Sequence, residues 1–185
     1  MPGAASRGGR LTERTDVLAF TLGGLSKSIG LPQVKLGWIV VSGQFAPLAL
    51  ERLELACDTY LSVSTPVQAA AGDLLRRGAT LRDQIQTRVR RNHHLLRTRA
   101  GDTPSCGVLA SEGGWYAVVQ VPSLASEEDL VLSLLIDDGV LVHPGYFFDF
   151  PSESFLIVSL LAPEAEFMEG TGRVFRRFDR VEGRP

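Results

Sequence analysis

Cysteine is scarce: the 185 residues contain two, Cys57 and Cys106. Neither stands in a C-x-x-C or Cys/His ligand pattern. That argues against a disulfide scaffold and for reduced thiols in a cytoplasmic setting. No apolar run approaches the roughly 18–20 residues of a membrane-spanning helix. Residues 1–10 are small, polar and Gly-rich, without the apolar stretch of a signal peptide. Charge of one sign is not in excess either. The 19 Lys and Arg face 21 Asp and Glu, for a net charge of −2, which argues against a dedicated nucleic-acid binder. What remains is an ordinary globular composition, 44% hydrophobic and 22% charged, sufficient for a packed core. The length suits one domain or part of a larger one.

Residues 1–14 read as a flexible tail. Residues 16–22 are almost all apolar and predict a strand buried on both faces, as in a parallel-rich sheet. A glycine-bracketed turn follows at 23–30, then a second apolar strand at 36–41. Pro47 suits the first turn of a helix whose apolar positions Leu50, Leu53, Cys57 and Tyr60 step by three or four. Thr65 predicts the cap of another helix, with Pro66 at its first position, running to Gly78. A third helix opens at Thr80 with Leu81, Ile85, Val89 and Leu96 on one stripe. Strands are expected at 115–121, 140–142 and 155–161. Ser126 followed by Glu127, Glu128 and Asp129 signs a helix start, with Leu130, Leu134 and Leu135 turned inward and a stop at Gly139. Residues 163–178 form a closing amphipathic helix. Mixed strands and helices make this an α/β or α+β chain.

Chemistry concentrates in residues 21–38. Lys27 lies between an apolar strand and a Gly-rich turn. Burial there would favour its neutral amine, a nucleophile that condenses with carbonyl compounds. Gly23, Gly24, Ser26 and Gly30 leave room for a ligand near the backbone and offer N–H and hydroxyl donors to an anion. Lys35 adds a second cation on the adjoining strand. Phosphate beside an aldehyde suits this pairing. The spacing is equally compatible with a surface loop carrying two solvated lysines. The segment is not a Walker loop, for it lacks G-x-x-x-x-G-K-[ST].

Gly24-Leu-Ser-Lys-x-x-Gly-Leu-Pro-x-x-Lys-x-Gly-Trp38 resembles the cofactor-lysine signature of class I/II aminotransferases, fold-type I enzymes that use pyridoxal 5′-phosphate (PLP). The resemblance continues at 58–68, near the exit of the large domain. It extends to 113–122, similar to the first strand of the small domain, and to 138–148, similar to its Gly-Val-x-Val-x-Pro-Gly-x-x-Phe element. It implies that Lys27 holds PLP covalently and that Lys35 contacts the phosphate, where the family usually has Arg. A serine three positions before the lysine is common in the family. Here Gly24 stands there, so that contact passes to a neighbour such as Ser26. The implied fold is the C-terminal part of the PLP-binding large domain, residues 15–85, followed by a small α+β C-terminal domain, residues 86–185. A homodimer acting on an amino acid and a 2-oxo acid is implied as well.

Two departures stand out. Family members usually place an arginine for the substrate carboxylate in the strand after the Pro-Gly element, and Ile157 stands at that position. Tyr146 and His143 are near it in sequence, each with a structural reading beside the functional one. The N-terminal part, which would supply the groups around the cofactor ring, has no counterpart here, so a truncated chain of poor solubility is expected. Other readings stay open: a PLP-dependent lyase or decarboxylase relative, or an inactive remnant or sensor module. Residues 76–99 carry eight arginines and one acid, Asp83. This reads as the solvated face of a helix, with binding of nucleic acid or an acidic partner as the sharper alternative. His93 and His94 are adjacent rather than i,i+4, so they form no two-histidine metal face.

Overall fold

The structure, a computed structural model, describes residues 11–60, 62–150, 152 and 154–182. It divides into two compact units, Met1–Gln84 and Ile85–Pro185. Of the tail expected at 1–14, residues 1–10 lie outside the described residues, and Leu11–Glu13 form a single 3-10 turn.

The first unit is built on a hairpin of β1 (Ala19–Gly24) and β2 (Gly37–Ser42). The strands pair antiparallel, with Ala19 opposite Ser42 and Gly24 opposite Gly37. The expectation that β1 is buried on both faces fails. Phe20 is 45% exposed and Leu22 77%. Among the described residues β1 has one neighbouring strand, and Leu48, Leu50 and Leu53 line open hollows against Phe20 and Leu22 without burying them. Helix α1 (Leu25–Ser28) closes the hairpin's end, and α2 (Ala46–Cys57) follows with Pro47 in its first turn. Along the apolar stripe read in α2, Leu53 is half-buried, Leu50 and Cys57 are exposed, and Tyr60 lies past the helix end, with Ala49 the buried position.

One helix, α3 (Thr65–Asp102), replaces the two expected on either side of Gly78. It starts where the Ser64 carbonyl accepts from the Val67 and Gln68 N–H groups, at 3.0 and 3.1 Å. A glycine inside a helix costs about 1 kcal/mol against alanine, too little to break 38 residues of cooperative helix. Ile29 explains why glycine is there. A Cβ at Gly78 would lie 2.5 Å from Ile29 Cδ1 and 2.9 Å from its Cγ2. Gly78→Ala is therefore expected to destabilise this unit. The gain of about 1 kcal/mol in helix propensity is outweighed by an overpacking cost of roughly 1–3 kcal/mol against a stiff β-branched side chain. Urea melts that show the alanine variant more stable than the parent would disprove this packing account.

The second unit carries a four-stranded sheet in the order β3-β4-β6-β5, antiparallel throughout. Its strands are β3 (Gly107–Val108), β4 (Tyr116–Gln120), β5 (His143–Pro144) and β6 (Phe155–Ser159). The strand expected at 140–142 does not form. Gly139 adopts the left-handed conformation (φ 63°), and the Val140 N–H donates back to the Leu134 carbonyl at 2.9 Å. This Schellman-type closure keeps 139–140 tied to the helix end, so the strand begins later, at His143. That helix, α4 (Glu127–Asp138), starts where expected. Ser126 Oγ accepts from the Asp129 N–H at 3.1 Å. Leu134 is fully buried, whereas Leu135, expected inward, is exposed.

Helix α5 (Glu164–Glu182) turns Phe167, Val174, Phe175 and Phe178 onto Leu96 of α3 and Leu156 of β6. Positions 167, 174, 175 and 178 follow the 3.6-residue period of one helix face. Asn92 latches α3 to the end of β6: its buried Nδ2 donates to the carbonyls of Leu160 (2.9 Å) and Ala162 (2.8 Å). No described helix is long and apolar enough to cross a membrane.

Candidate functional site

The glycine-bracketed turn expected at 23–30 is where β1 runs into α1. The Leu25 N–H donates to the Leu36 carbonyl at 3.0 Å, extending the hairpin ladder by one bond into the helix. Leu25 and Ile29, four residues apart, face the interior and are 0% and 3% exposed. Lys27 lies between them on the helix and is therefore on the opposite, exposed side. The desolvation expected of Lys27 is absent from this chain, because the residues that bury the turn are its neighbours. Ser28 Oγ donates to the Gly24 carbonyl at 2.7 Å, and the Leu31 N–H returns to the Leu25 carbonyl at 3.1 Å. Together these bonds close the loop around Lys27. Ser26 is half-buried.

Lys35 lies just before β2 rather than on it. It is the left-handed residue (φ 53°) ending the 3-10 turn Pro32–Val34, and it is exposed. Because Leu25 is bonded to Leu36, Lys27 and Lys35 emerge at the same end of the hairpin. The glycines have packing reasons as well. A Cβ at Gly24 would lie 3.2 Å from the Leu36 carbonyl oxygen, which accounts for glycine where the related signature often has serine. A Cβ at Gly23 would overlap the Trp38 indole, so Trp38 lies across Gly23, its partner in the ladder. Upstream of β1, the Arg14 guanidinium hydrogen-bonds Asp16 and holds its carboxyl down to about 2.

The hairpin end thus offers an exposed primary amine and a second cation. That donor set fits the aldehyde and phosphate ends of PLP. Ser26, Lys27 and Lys35 are brought together in the first unit, and the remaining candidates belong to the second. Ile157 is buried in mid-β6, opposite Val118 of β4 and His143 of β5. Leu156 and Val158 join the core beneath α5, and Ile157 does not, so its side chain is on the other face of the sheet. The His143 ring is exposed, 6.2 Å from Phe147 and 6.3 Å from Phe148. Tyr146 packs edge-on against Phe147 at 4.8 Å.

Sequence reasoning missed Glu127. It is 2% exposed, and its Oε2 and Oε1 accept from the Tyr146 N–H (2.9 Å) and the Phe155 N–H (2.8 Å). It ties the Pro-Gly element to the start of β6. The acidic run 127–129 marked a helix start but gave no sign that its first member turns inward.

This arrangement has the fold of PLP-dependent aminotransferases. An alanine aminotransferase from Pyrococcus furiosus superposes with a TM-score of 0.75 at 19% identity, over 90% of this chain and 44% of the other. A tyrosine aminotransferase from Leishmania infantum does so with a TM-score of 0.75 at 20% identity, over 90% and 42%. The family model for aminotransferase class I and II matches residues 2–167, and the chain belongs to that family, whose members use PLP. Among curated relatives, the alanine aminotransferase of Mycobacterium tuberculosis (strain ATCC 25618 / H37Rv) is 26% identical over 149 residues, covering 76% of this chain and 35% of the relative. The glutamate-pyruvate aminotransferase AlaA of Escherichia coli K12 is 26% identical over 172 residues, covering 88% and 42%. The chain therefore spans well under half the length of these relatives.

Proposed function

We propose that this chain carries the lysine-bearing part of a PLP-dependent aminotransferase, which moves an amino group from an amino acid to a 2-oxo acid. The observation that carries the reading is the placement of Lys27 and Lys35 at one end of the β1–β2 hairpin in a member of this family. Residues 15–85 are assigned to the large domain and 86–185 to the small C-terminal domain. The working form is a cytoplasmic homodimer. Alanine, glutamate and pyruvate are the first substrates to try, since the curated relatives are named for them.

Lys27 Nζ would hold the cofactor's carbonyl carbon covalently and, once displaced by the incoming amine, take and return the proton at the substrate Cα. Lys35 would fix the phosphate as a point charge, without the bidentate fork an arginine supplies. Ser26 would add a hydroxyl donor. Bound PLP supplies an electron sink for cleavage of a bond at Cα. The test is borohydride reduction of the chain saturated with PLP, followed by peptide mapping. The adduct is expected on Lys27, and a modification shared equally with Lys35 or the N-terminus would overturn the assignment.

Ile157 supports a second reading. A buried aliphatic side chain binds no carboxylate, which favours a PLP-dependent lyase or decarboxylase relative. Transfer to any 2-oxo acid in an acceptor screen excludes that reading. Release of ammonia or carbon dioxide without transfer establishes it.

A further inference from the structure

We propose that Arg99 and Arg176 form a phosphate-binding clamp on the second unit, built across Gly172. Arg99 comes from α3 and Arg176 from α5, one turn after Gly172. A Cβ at Gly172 would overlap Arg99 Nη1 outright and would lie 3.4 Å from Arg176 Nη1. Two guanidinium groups therefore converge on one point of the α5 backbone, and only the missing side chain of Gly172 lets Arg99 lie there.

The other arginines of this unit with bonds in the structure are spent on them. Arg88 donates to the Leu161 carbonyl and Arg91 to Glu164. Arg173 holds the Asp138 carbonyl and Glu169, and Arg177 holds Asp137 and Asp138. Among the described residues, Arg99 and Arg176 hold no carboxylate and no carbonyl. Asp179, on the α5 turn after Arg176, accepts from Thr103 Oγ1 at 3.0 Å instead.

Two like charges brought together repel, and more strongly where one of them, Arg99, is half-buried and less screened. A bridging anion removes that repulsion. A carboxylate carries one charge and two oxygens, enough for one guanidinium fork. A phosphate group carries between one and two charges at neutral pH and has at least three acceptor oxygens, so it can engage both forks at once. The ligand class is therefore inorganic phosphate or the phosphate end of a monoester.

The experiment is thermal melting of the full chain in inorganic phosphate against chloride at matched ionic strength. Phosphate should raise the melting temperature with a saturating dependence. Arg176→Gln and Arg99→Gln should each abolish that rise. Arg176→Lys keeps the charge without the fork and should weaken binding by about ten- to a hundredfold, the equivalent of one charge-assisted bond. If an arginine variant melts abnormally, titration calorimetry with inorganic phosphate gives the same comparison. Lys35→Ala should retain the effect. A rise lost in Lys35→Ala but kept in Arg176→Gln would overturn the clamp, as would an equal rise with acetate. Phenyl phosphate separates the two sources. An increment matching that of inorganic phosphate shows a clamp open to esters, and a much smaller one shows a site for the free anion.

Discussion

Glu127→Ala is expected to cost the second unit about 4 kcal/mol, enough to unfold a marginal domain. The figure follows from the two bonds Glu127 accepts. A hydrogen bond to a charged group is worth roughly 1.5–3 kcal/mol, and truncation orphans the Tyr146 and Phe155 N–H groups together. The carboxylate also lies in the first turn of α4, where the helix dipole favours negative charge. Its surroundings allow little collapse. Gly145 lies so near that a Cβ there would be 3.0 Å from Glu127 Oε1 and 2.8 Å from Phe155 Cβ. Glu127→Gln separates shape from chemistry. The amide oxygen can keep one N–H, but the amide NH2 meets the other donor to donor. The expected loss is about half that of alanine, roughly 2 kcal/mol. Equilibrium urea denaturation measures both, and hydrogen exchange at Tyr146 and Phe155 locates the damage. If glutamine and alanine are equally mild, the paired bonds are not what holds this loop.

Much of the architecture was readable because local chemistry decided it. Ser126 capping Asp129 and Gly139 in the left-handed conformation set the two ends of α4 within their own neighbourhood. The turn at Lys27 was likewise announced by its glycines. Several misreadings have another cause: each turned on a partner distant in the chain. Gly78 reads as a stop until Ile29 occupies the space above it. Phe20 and Leu22 read as core, yet α2 meets their face of β1 only across open hollows and leaves both exposed. Glu127 reads as one of three solvated acids until the backbone at 146 and 155 arrives to meet it. An apolar alternation reports that a face is meant to be covered, and it does not say which segment covers it.

Lys27→Ala is expected to abolish covalent capture of PLP outright, whereas Lys35→Ala should leave the capture site unchanged and weaken retention by ten- to a hundredfold. The two lysines are the chain's entire complement of lysine, so the experiment has one internal control and little background. With Lys35 occupied by the phosphate, Lys27 is the amine left to bond the aldehyde carbon, and its loss is therefore all or none. Lys35 would contribute a charge-assisted contact to the phosphate, worth roughly 1.5–3 kcal/mol, which sets the range for its removal. Pyridoxal, which lacks the phosphate, isolates that contact. In the parent chain PLP should bind more tightly than pyridoxal, and in Lys35→Ala the two should converge. Lys35→Arg should restore the difference, since a guanidinium brings the charge and adds a fork. It must do so at a left-handed backbone position (φ 53°) that lysine already occupies, so the exchange adds no new backbone strain. An adduct that persists in Lys27→Ala at Lys35 would move the anchor by eight residues and reverse the two roles. If PLP and pyridoxal keep their difference in Lys35→Ala, the phosphate must be held by other groups, with the Ser26 hydroxyl and the backbone N–H groups of the α1 turn next to be tested.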